Sequence, residues 1–450
     1  MSIALVILAA GKGSRMNSDL PKVLHPIAQA PMLEHAMAAG RGLDPARTVV
    51  VAGHEAERVR AAVAEIDEEA QVVLQSEQLG TGHAVLQARD ALRGFEGDVV
   101  VLYGDTPFVS QQTLERMIEA RSRADLVILG FEAADPARYG RLVMQGETLE
   151  RIVEYKDATE EERAISFCNS GLMAADAAVM FRLLEKVGND NAAGEYYLTD
   201  LAELARAEGL AVTAVACPEE ETLGINSRAD LAAADAVFQT RARAELLDIG
   251  VTLMAPETVY LAFDTYIGRD TVVEPNVVFG PGVTVESGVL IRAFSHLEGC
   301  HVSRGAKVGP YARLRPGAEL AEDTHIGNFV EIKNAEIGEG AKVNHLSYIG
   351  DASVGKATNI GAGTITCNYD GVMKHRTEIG ARAFIGSNTM LVAPVRVGHE
   401  AMTASGAVIT KDVGDGDLAI ARTPQINKTG RAEKLMDMLR ARKARQNKGS

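Results

Sequence analysis

Two rhythms of apolar residues divide the chain. Up to about residue 226, short apolar runs alternate with stretches of helical spacing. The clearest runs cover residues 3–8, 48–52, 71–75, 99–103 and 126–131, and helical patterns fill 33–39, 55–64 and 113–121. Strands alternating with helices predict an α/β domain with a largely parallel sheet, whose ligand sits at the carboxyl ends of the strands. Residues 227–250 then read as one connecting helix. Ser227 and Asp230 have capping spacing, Leu231, Ala234, Phe238, Ala242 and Leu246 follow at three- and four-residue steps, and Gly250 is a stop.

From about residue 255 the period becomes six. Ile267, Val273, Phe279, Val285, Ile291 and Leu297 keep the beat; after a slip it runs through Val302, Val308, Leu314, Leu320, Ile326 and Ile332. Further slips lead to Ile337, Val343 and Ile349, then to Val354 and Ile360, and it resumes at Ile379, Ile385, Leu391 and Val397. Chance alternation does not hold a six-residue phase this long. The pattern predicts a parallel β-helix with the aliphatic residue of each unit inward and glycines turning the corners. Residues 364–377 break the beat and are expected to be an extruded loop. The expected domains are thus 1–228, a linker helix 229–249, and a solenoid domain 250–450 ending in a basic, solvated tail.

Composition narrows the function. The 450 residues are 46% hydrophobic and 24% charged, those of an ordinary globular chain with room for sizeable cores. Forty-six Lys and Arg against 61 Asp and Glu leave a net charge of −15, which argues against nucleic acid as a partner. No segment reaches the ~18 apolar residues that cross a bilayer, and the opening apolar run lacks signal-peptide flanks. Cys168, Cys217, Cys300 and Cys367 form no CxxC pair, so a reduced, cytoplasmic setting is expected, with the thiols as packing groups.

The first run ends in Leu8-Ala9-Ala10-Gly11-Lys12-Gly13-Ser14-Arg15-Met16, with Pro21-Lys22 shortly after. A glycine-rich turn at a strand end exposes backbone N–H groups to phosphate oxygens, and Lys12, Arg15 and Lys22 supply charge for a triphosphate. Tyr103-Gly104-Asp105 ends another strand. One carboxylate there, with one amide oxygen elsewhere, meets the needs of Mg²⁺, which keeps water and phosphate as its other ligands.

These motifs resemble the signature of sugar-1-phosphate nucleotidylyltransferases. Together with the run from Gln75 to Gly82 and the six-residue repeats, nearly the whole chain is similar to a bacterial bifunctional family. That family couples N-acetylglucosamine-1-phosphate uridylyl transfer to glucosamine-1-phosphate N-acetyl transfer, supplying UDP-N-acetylglucosamine to peptidoglycan and lipopolysaccharide synthesis. The resemblance implies a Rossmann-like nucleotidyltransferase domain joined by a helix to a left-handed hexapeptide β-helix, in a homotrimer. Leu8, Ala9, Ala10, Gly11, Lys22, Gln75, Gly80, Thr81, Tyr103 and Gly104 would then hold the uridine nucleotide, with Arg15 and Lys22 catalytic. Gly140, Glu154 and Asn169 would bind the N-acetylglucosamine, and Asp105 with Asn226 would hold Mg²⁺.

A polar cluster in the solenoid completes the resemblance. By it, Arg315, Lys333 and Lys374 would bind the sugar phosphate of glucosamine-1-phosphate, and Tyr348 and Asn359 the sugar. Ala362, Asn368, Tyr369, Ser387, Ser405 and Arg422 would line the acetyl-CoA site; Ser405 stands where the family usually has alanine. His345 would be the general base, since only a neutral amine attacks a thioester and imidazole suits that proton transfer near neutrality. Two other readings compete: a monofunctional nucleotidylyltransferase with an inert hexapeptide tail, and a regulatory subunit of like architecture. The first has no use for the His345, Arg315, Lys333 and Lys374 cluster, and the second none for Arg15, Lys22, Asp105 and Asn226.

Overall fold

The computed structural model describes residues 2–446. It divides into two compact units: one runs to Glu245 and takes in Leu261–Asp264, and the other comprises Leu246–Tyr260 and the chain from Thr265 on.

The first unit is built on a nine-stranded sheet. Its strands are β1 (Ile3–Ala9), β2 (Arg47–Ala52), β3 (Gln71–Leu74), β4 (Asp98–Tyr103) and β5 (Leu126–Glu132), then β6 (Arg141–Gln145), β7 (Thr148–Val153), β8 (Phe167–Asp176) and β9 (Val212–Cys217). The main order is β9-β5-β8-β4-β1-β2-β3, with β6 and β7 attached as a hairpin beside β8. β1 pairs in parallel with β2 and β4, whereas β8 runs antiparallel to β4 and β5. All seven residues of β1 are buried. Ala4, Val6 and Leu8 enter one hydrophobic cluster and Ile3, Leu5, Ile7 and Ala9 the other, so the sheet is covered on both faces. That is why the run is apolar without alternation.

The helix Arg228–Asp248 is more than a linker. Ala234, Leu231 and Phe238 pack with Ile27, Met32, Phe108, Ile225 and Phe263. Its cap is reciprocal: Asp230 Oδ2 accepts from the N–H of Ser227 at 2.9 Å, and Ser227 Oγ accepts from the N–H of Asp230 at 3.2 Å.

The second unit is a three-walled parallel β-helix. One wall stacks Ile267, Val285, Val302, Leu320, Ile337, Val354, Ile379 and Val397 in register. Every aliphatic residue of the six-residue beat is buried. Two expectations need correction. Residues 364–377 are not all loop: Ile365–Cys367 is a strand of the coil, paired with Met390–Val392. Thr366 takes the inward position there, and its hydroxyl accepts from the Gly350 N–H at 2.8 Å and donates to Gly350 O at 3.0 Å, so a polar residue fits where the beat wants an aliphatic one. The true insertion is the segment after Cys367 up to Thr377. Nor, Gly309 (φ 95°) apart, do the glycines of the aliphatic-Gly pairs turn the corners. Left-handed corners are taken by residues such as Asp270, Asn276, Tyr311, Asn334, Leu346 and Asp351, as well as by other glycines. The glycines of those pairs instead admit close approach of backbones. At Gly386, for example, a Cβ would lie 2.4 Å from Thr403 O of the next coil.

The basic tail forms a helix, Arg431–Gln446, exposed along its length. Among the described residues no helix is long and apolar enough to cross a membrane.

Candidate active sites

The first site grows from the carboxyl ends of β1 and β4. Beyond Ala9 the chain turns through Gly13, whose φ of 60° and close approach to Lys22 (a Cβ would lie 2.6 Å from Lys22 Cβ) both call for glycine. Lys22 is buried. Its Nζ pairs with Asp105 Oδ2 and donates to Asn226 Oδ1 at 2.8 Å. Arg15 Nη2 donates to that same oxygen at 2.8 Å. Asp105 caps no helix, since the next one starts at Gln111 and is capped by Ser110. Asn226 is held by the helix cap: its N–H donates to Asp230 Oδ2 at 3.0 Å, while Ile225 N–H donates to Asp105 O at 3.1 Å. Arg15, Lys22, Asp105 and Asn226 therefore form one connected group. Lys12 lies exposed on the loop.

Beside them is a cavity of 280 Å³. Leu8, Ala9, Ala10, Gly11, Lys22, Gln75, Gly80, Thr81, Tyr103 and Asp105 all line it. Gly104 lies under it, its N–H bonded to Leu8 O at 3.0 Å. Gln75 is buried and donates from Nε2 to Gly80 O at 3.1 Å. Gly80 takes φ 115° with Tyr196 O 2.6 Å from where a Cβ would stand, and Thr81 Oγ1 accepts from Leu198 N–H at 3.1 Å.

The predicted sugar residues also converge. A Cβ on Gly140 would lie 3.5 Å from both Asn169 Cβ and Glu154 Oε1. Glu154 accepts from Thr199 Oγ1 at 3.2 Å. Burial raises the Glu154 carboxyl above its usual range, and the Thr199 bond only partly offsets this. The Tyr103 phenol is raised by burial and then by the charges of Asp105 and Glu154. Sequence reasoning missed Gln78, Glu195 and Thr199. Gln78 lies inside the Gln75–Gly82 motif, which could have marked it, and donates to Ala10 O at 2.8 Å. Glu195 lines the cavity with no local motif to mark it.

In the second unit, strand pairing sets Arg313 beside Glu331 and Lys333 beside Gly350, so Arg315 and Lys333 occupy equivalent places on successive coils. Arg315 Nη1 bonds Glu331 Oε1 at 2.8 Å. Gly350 leaves room for Tyr348: a Cβ would meet the phenol oxygen at 2.3 Å. Tyr348 accepts from Asn368 Nδ2 at 3.4 Å. Lys374 comes from the insertion, bridged to Tyr369, and lies against Lys333.

A second column runs along the next corner. Asn328 pairs with His345, and the same register carried onward aligns Ala362, Ser387 and Ser405 with it. His345 Nδ1 lies 2.8 Å from Asn328 Oδ1, a partner not foreseen from sequence. Arg422 Nη1 donates to the Ser405 carbonyl at 2.8 Å, a contact indifferent to the Ser405 side chain. Asn359 lies between Lys342 and Phe384 on the wall that leads into this corner, not on the wall of Lys333 and Tyr348. Burial pushes the thiols of Cys217 and Cys300 up to about 12, as befits packing groups.

Comparison with known proteins decides the family. Residues 5–170 match a MobA-like NTP transferase domain, and residues 264–299 match the bacterial transferase hexapeptide model of six repeats. Over its full length the chain is 86% identical to bifunctional protein GlmU of Ruegeria sp. (strain TM1040), covering all of both chains. It is 77% identical to the GlmU of Ruegeria pomeroyi and 66% to that of Roseobacter denitrificans, again end to end. The chain belongs to the GlmU family. As a GlmU family member it is a bifunctional transferase of UDP-N-acetylglucosamine synthesis, pairing uridylyl transfer with acetyl transfer.

Proposed function

We propose that the two constellations are the two active sites, with uridylyl transfer at the sheet of the first unit and acetyl transfer on the β-helix. In the first, the Gly11 loop, Arg15 and Lys22 receive the triphosphate of UTP. Gln75, whose Nε2 is used by Gly80, keeps its oxygen for the pyrimidine, and Gly140, Glu154 and Asn169 orient N-acetylglucosamine-1-phosphate. Asp105 and Asn226 present hard oxygens to a common point, now spanned by the Lys22 ammonium, and such a pair fits Mg²⁺. When bound, Mg²⁺ supplies charge neutralisation for the phosphates. The sugar-phosphate oxygen attacks the α-phosphorus and pyrophosphate leaves, so the protein contributes position and charge without a nucleophile. The shared contacts of Lys22 with Asp105 and Asn226 carry this reading.

In the second, Arg315, Lys333 and Lys374 hold the phosphate of glucosamine-1-phosphate, with Tyr348 and Asn359 at the sugar. Asn328 Oδ1 facing Nδ1 favours the tautomer in which Nδ1–H donates, leaving Nε2 as base. The amine loses its proton to Nε2 as its nitrogen attacks the thioester carbonyl of acetyl-CoA, and the CoA thiolate leaves. Ala362, Asn368, Tyr369, Ser387, Ser405 and Arg422 flank that cofactor. A homotrimer in the cytoplasm completes the reading. Phe294, Tyr311 and Phe329 stack at 4.9 and 5.2 Å on one corner, each about half exposed, with Leu346 next to them, and this apolar column supports packing against a second copy. Separate assay of both half-reactions on purified protein, with and without Mg²⁺, tests the reading. Uridylyl transfer should need the metal and acetyl transfer should not.

A further inference from the structure

One corner of the β-helix carries a ladder of polar side chains. Gly299 and Gly317 occupy it in the early coils; Asn334, Asp351 and Asn368 occupy it in the next three, 17 residues apart at each step. Asn334 and Asp351 are in the left-handed region, at φ 44° and 49°. Asp351 is only 8% exposed. Its Oδ1 accepts from Asn334 Nδ2 at 2.6 Å, and its Oδ2 accepts from Asn368 Nδ2.

An asparagine at 351 would suit the backbone as well as an aspartate does. It would, however, turn an NH₂ toward one of two NH₂ donors. Donors on both sides call for two acceptor oxygens, which a carboxylate provides. Charge gives a second reason. Lys333 immediately precedes Asn334, and Lys374 lies in the insertion that Asn368 opens. Lys333 holds the Lys374 ammonium below the usual lysine range, through close contact and like charge, while Asp351 and Tyr348 act in the opposite sense. Burial works to raise the Asp351 carboxyl, but the bonds from Asn334 and Asn368 and the charges of Lys333 and Lys374 outweigh it and hold it low. The other nearby carboxylates have partners of their own: Arg315 pairs with Glu331 at 2.8 Å, and Asp370 Oδ2 lies 2.7 Å from His375 Nε2 within the insertion.

We propose that Asp351 is a positioning residue of the acetyl-transfer site, anchoring the Asn368–Lys374 segment to the coil below and serving as the counter-ion that lets Lys333 and Lys374 face one phosphate together. This rests on the acetyltransferase reading of that site. It adds a residue that binds neither substrate.

The test titrates Lys374 directly in the full-length protein, by trace acetic anhydride labelling across pH with peptide mass spectrometry. Asp351→Asn should lower the labelling midpoint of Lys374 by about one pH unit, while Lys356, paired with Glu339, stays put. In acetyl transfer the KM for glucosamine-1-phosphate should rise about tenfold with a smaller change in kcat. The alkaline limb of kcat/KM should move to lower pH, because the ammonium that binds phosphate is lost sooner. Adding Lys374→Arg should abolish that movement, since guanidinium does not titrate there. Asp351→Ser, which is small and uncharged, should give the same midpoint shift if Asp351→Asn does not fold. An unmoved Lys374 midpoint overturns the proposal, even if activity falls. Failure of the parent to acetylate glucosamine-1-phosphate would count against the site reading alone, because the labelling result does not depend on turnover.

Discussion

Lys22 and Asn226 are 204 residues apart in the chain, yet Lys22 Nζ donates to Asn226 Oδ1 at 2.8 Å. The contact exists because the cap of the helix Arg228–Asp248 fixes Asn226 beside the turn that bears Asp105. One helix start thus closes a site opened by the first strand.

Asp105→Ala removes the one carboxylate in that group and leaves Lys22 bonded to Asn226 but without a counter-charge. Uridylyl transfer should fall by about two to four orders of magnitude, the range for losing a key electrostatic group. Acetyl transfer, measured by thiol release from acetyl-CoA, should stay near the parent rate. Equal loss of both would point to misfolding.

His345→Ala should cut acetyl transfer by about 10²–10⁴-fold, the usual worth of a general base. Asn328→Ala should cause a smaller loss, about tenfold, because the imidazole survives but its tautomer is no longer fixed. Uridylyl transfer should not respond to either. An Asn328→Ala loss as large as that of His345→Ala would give Asn328 a role beyond orientation.

Asp200 offers a pH test. Burial, then Glu203, Glu154 and Asp157, push its carboxyl up to about 6. With the folded value above the unfolded one, its contribution to stability is full below about pH 4 and is lost as pH rises through about 6. Two units would correspond to about 3 kcal/mol, but a half-buried group is screened, and about 1 kcal/mol is the expected effect. Asp200→Asn should therefore gain that much over the parent at about pH 8 and less at about pH 5 in urea denaturation. The same gain at both pH values would contradict the assignment.

The helix Arg228–Asp248 predicts how the first unit can be cut. A fragment ending at Arg228 loses Ala234, Leu231, Phe238 and Phe263 from the cluster with Ile27 and Met32. It should be about 2–4 kcal/mol less stable than one ending just after Asp264, from the apolar area exposed. The longer fragment should catalyse uridylyl transfer at the parent rate, the one ending at Arg228, which lacks the Asp230 carboxylate that holds Asn226, should do so more slowly, and neither should acetylate. Equal melting of the two would show that the helix adds nothing to the unit.

Much of this architecture is legible in the sequence alone. β1 reads as a buried strand because both its faces are covered, and the six-residue beat names the inward column of the solenoid. The motif residues Leu8–Gly11 and Lys22, with Gln75, Gly80 and Thr81, meet at one cavity because strand ends gather there. What stays hidden depends on contacts across coils or on polar residues in apolar places. Thr366 hides a strand because a hydroxyl bonded to Gly350 can replace an aliphatic side chain. Asn328 and Asp351 carry no motif; their meaning lies in neighbours 17 residues away, visible only once the coils are in register. The β6–β7 hairpin and antiparallel β8 interrupt the parallel pattern, and alternation alone does not reveal strand direction.

If two independent sites in one chain act in sequence through a released intermediate, variants that each lack one site should complement each other. Purified Asp105→Ala and His345→Ala proteins, separately and mixed, should be given glucosamine-1-phosphate, acetyl-CoA, UTP and Mg²⁺, and UDP-N-acetylglucosamine measured. Each variant alone should make little, and the mixture should recover most of the parent rate, because the N-acetylglucosamine-1-phosphate made by one is used by the other. A mixture no better than its components, or ample product from either variant alone, would contradict the account.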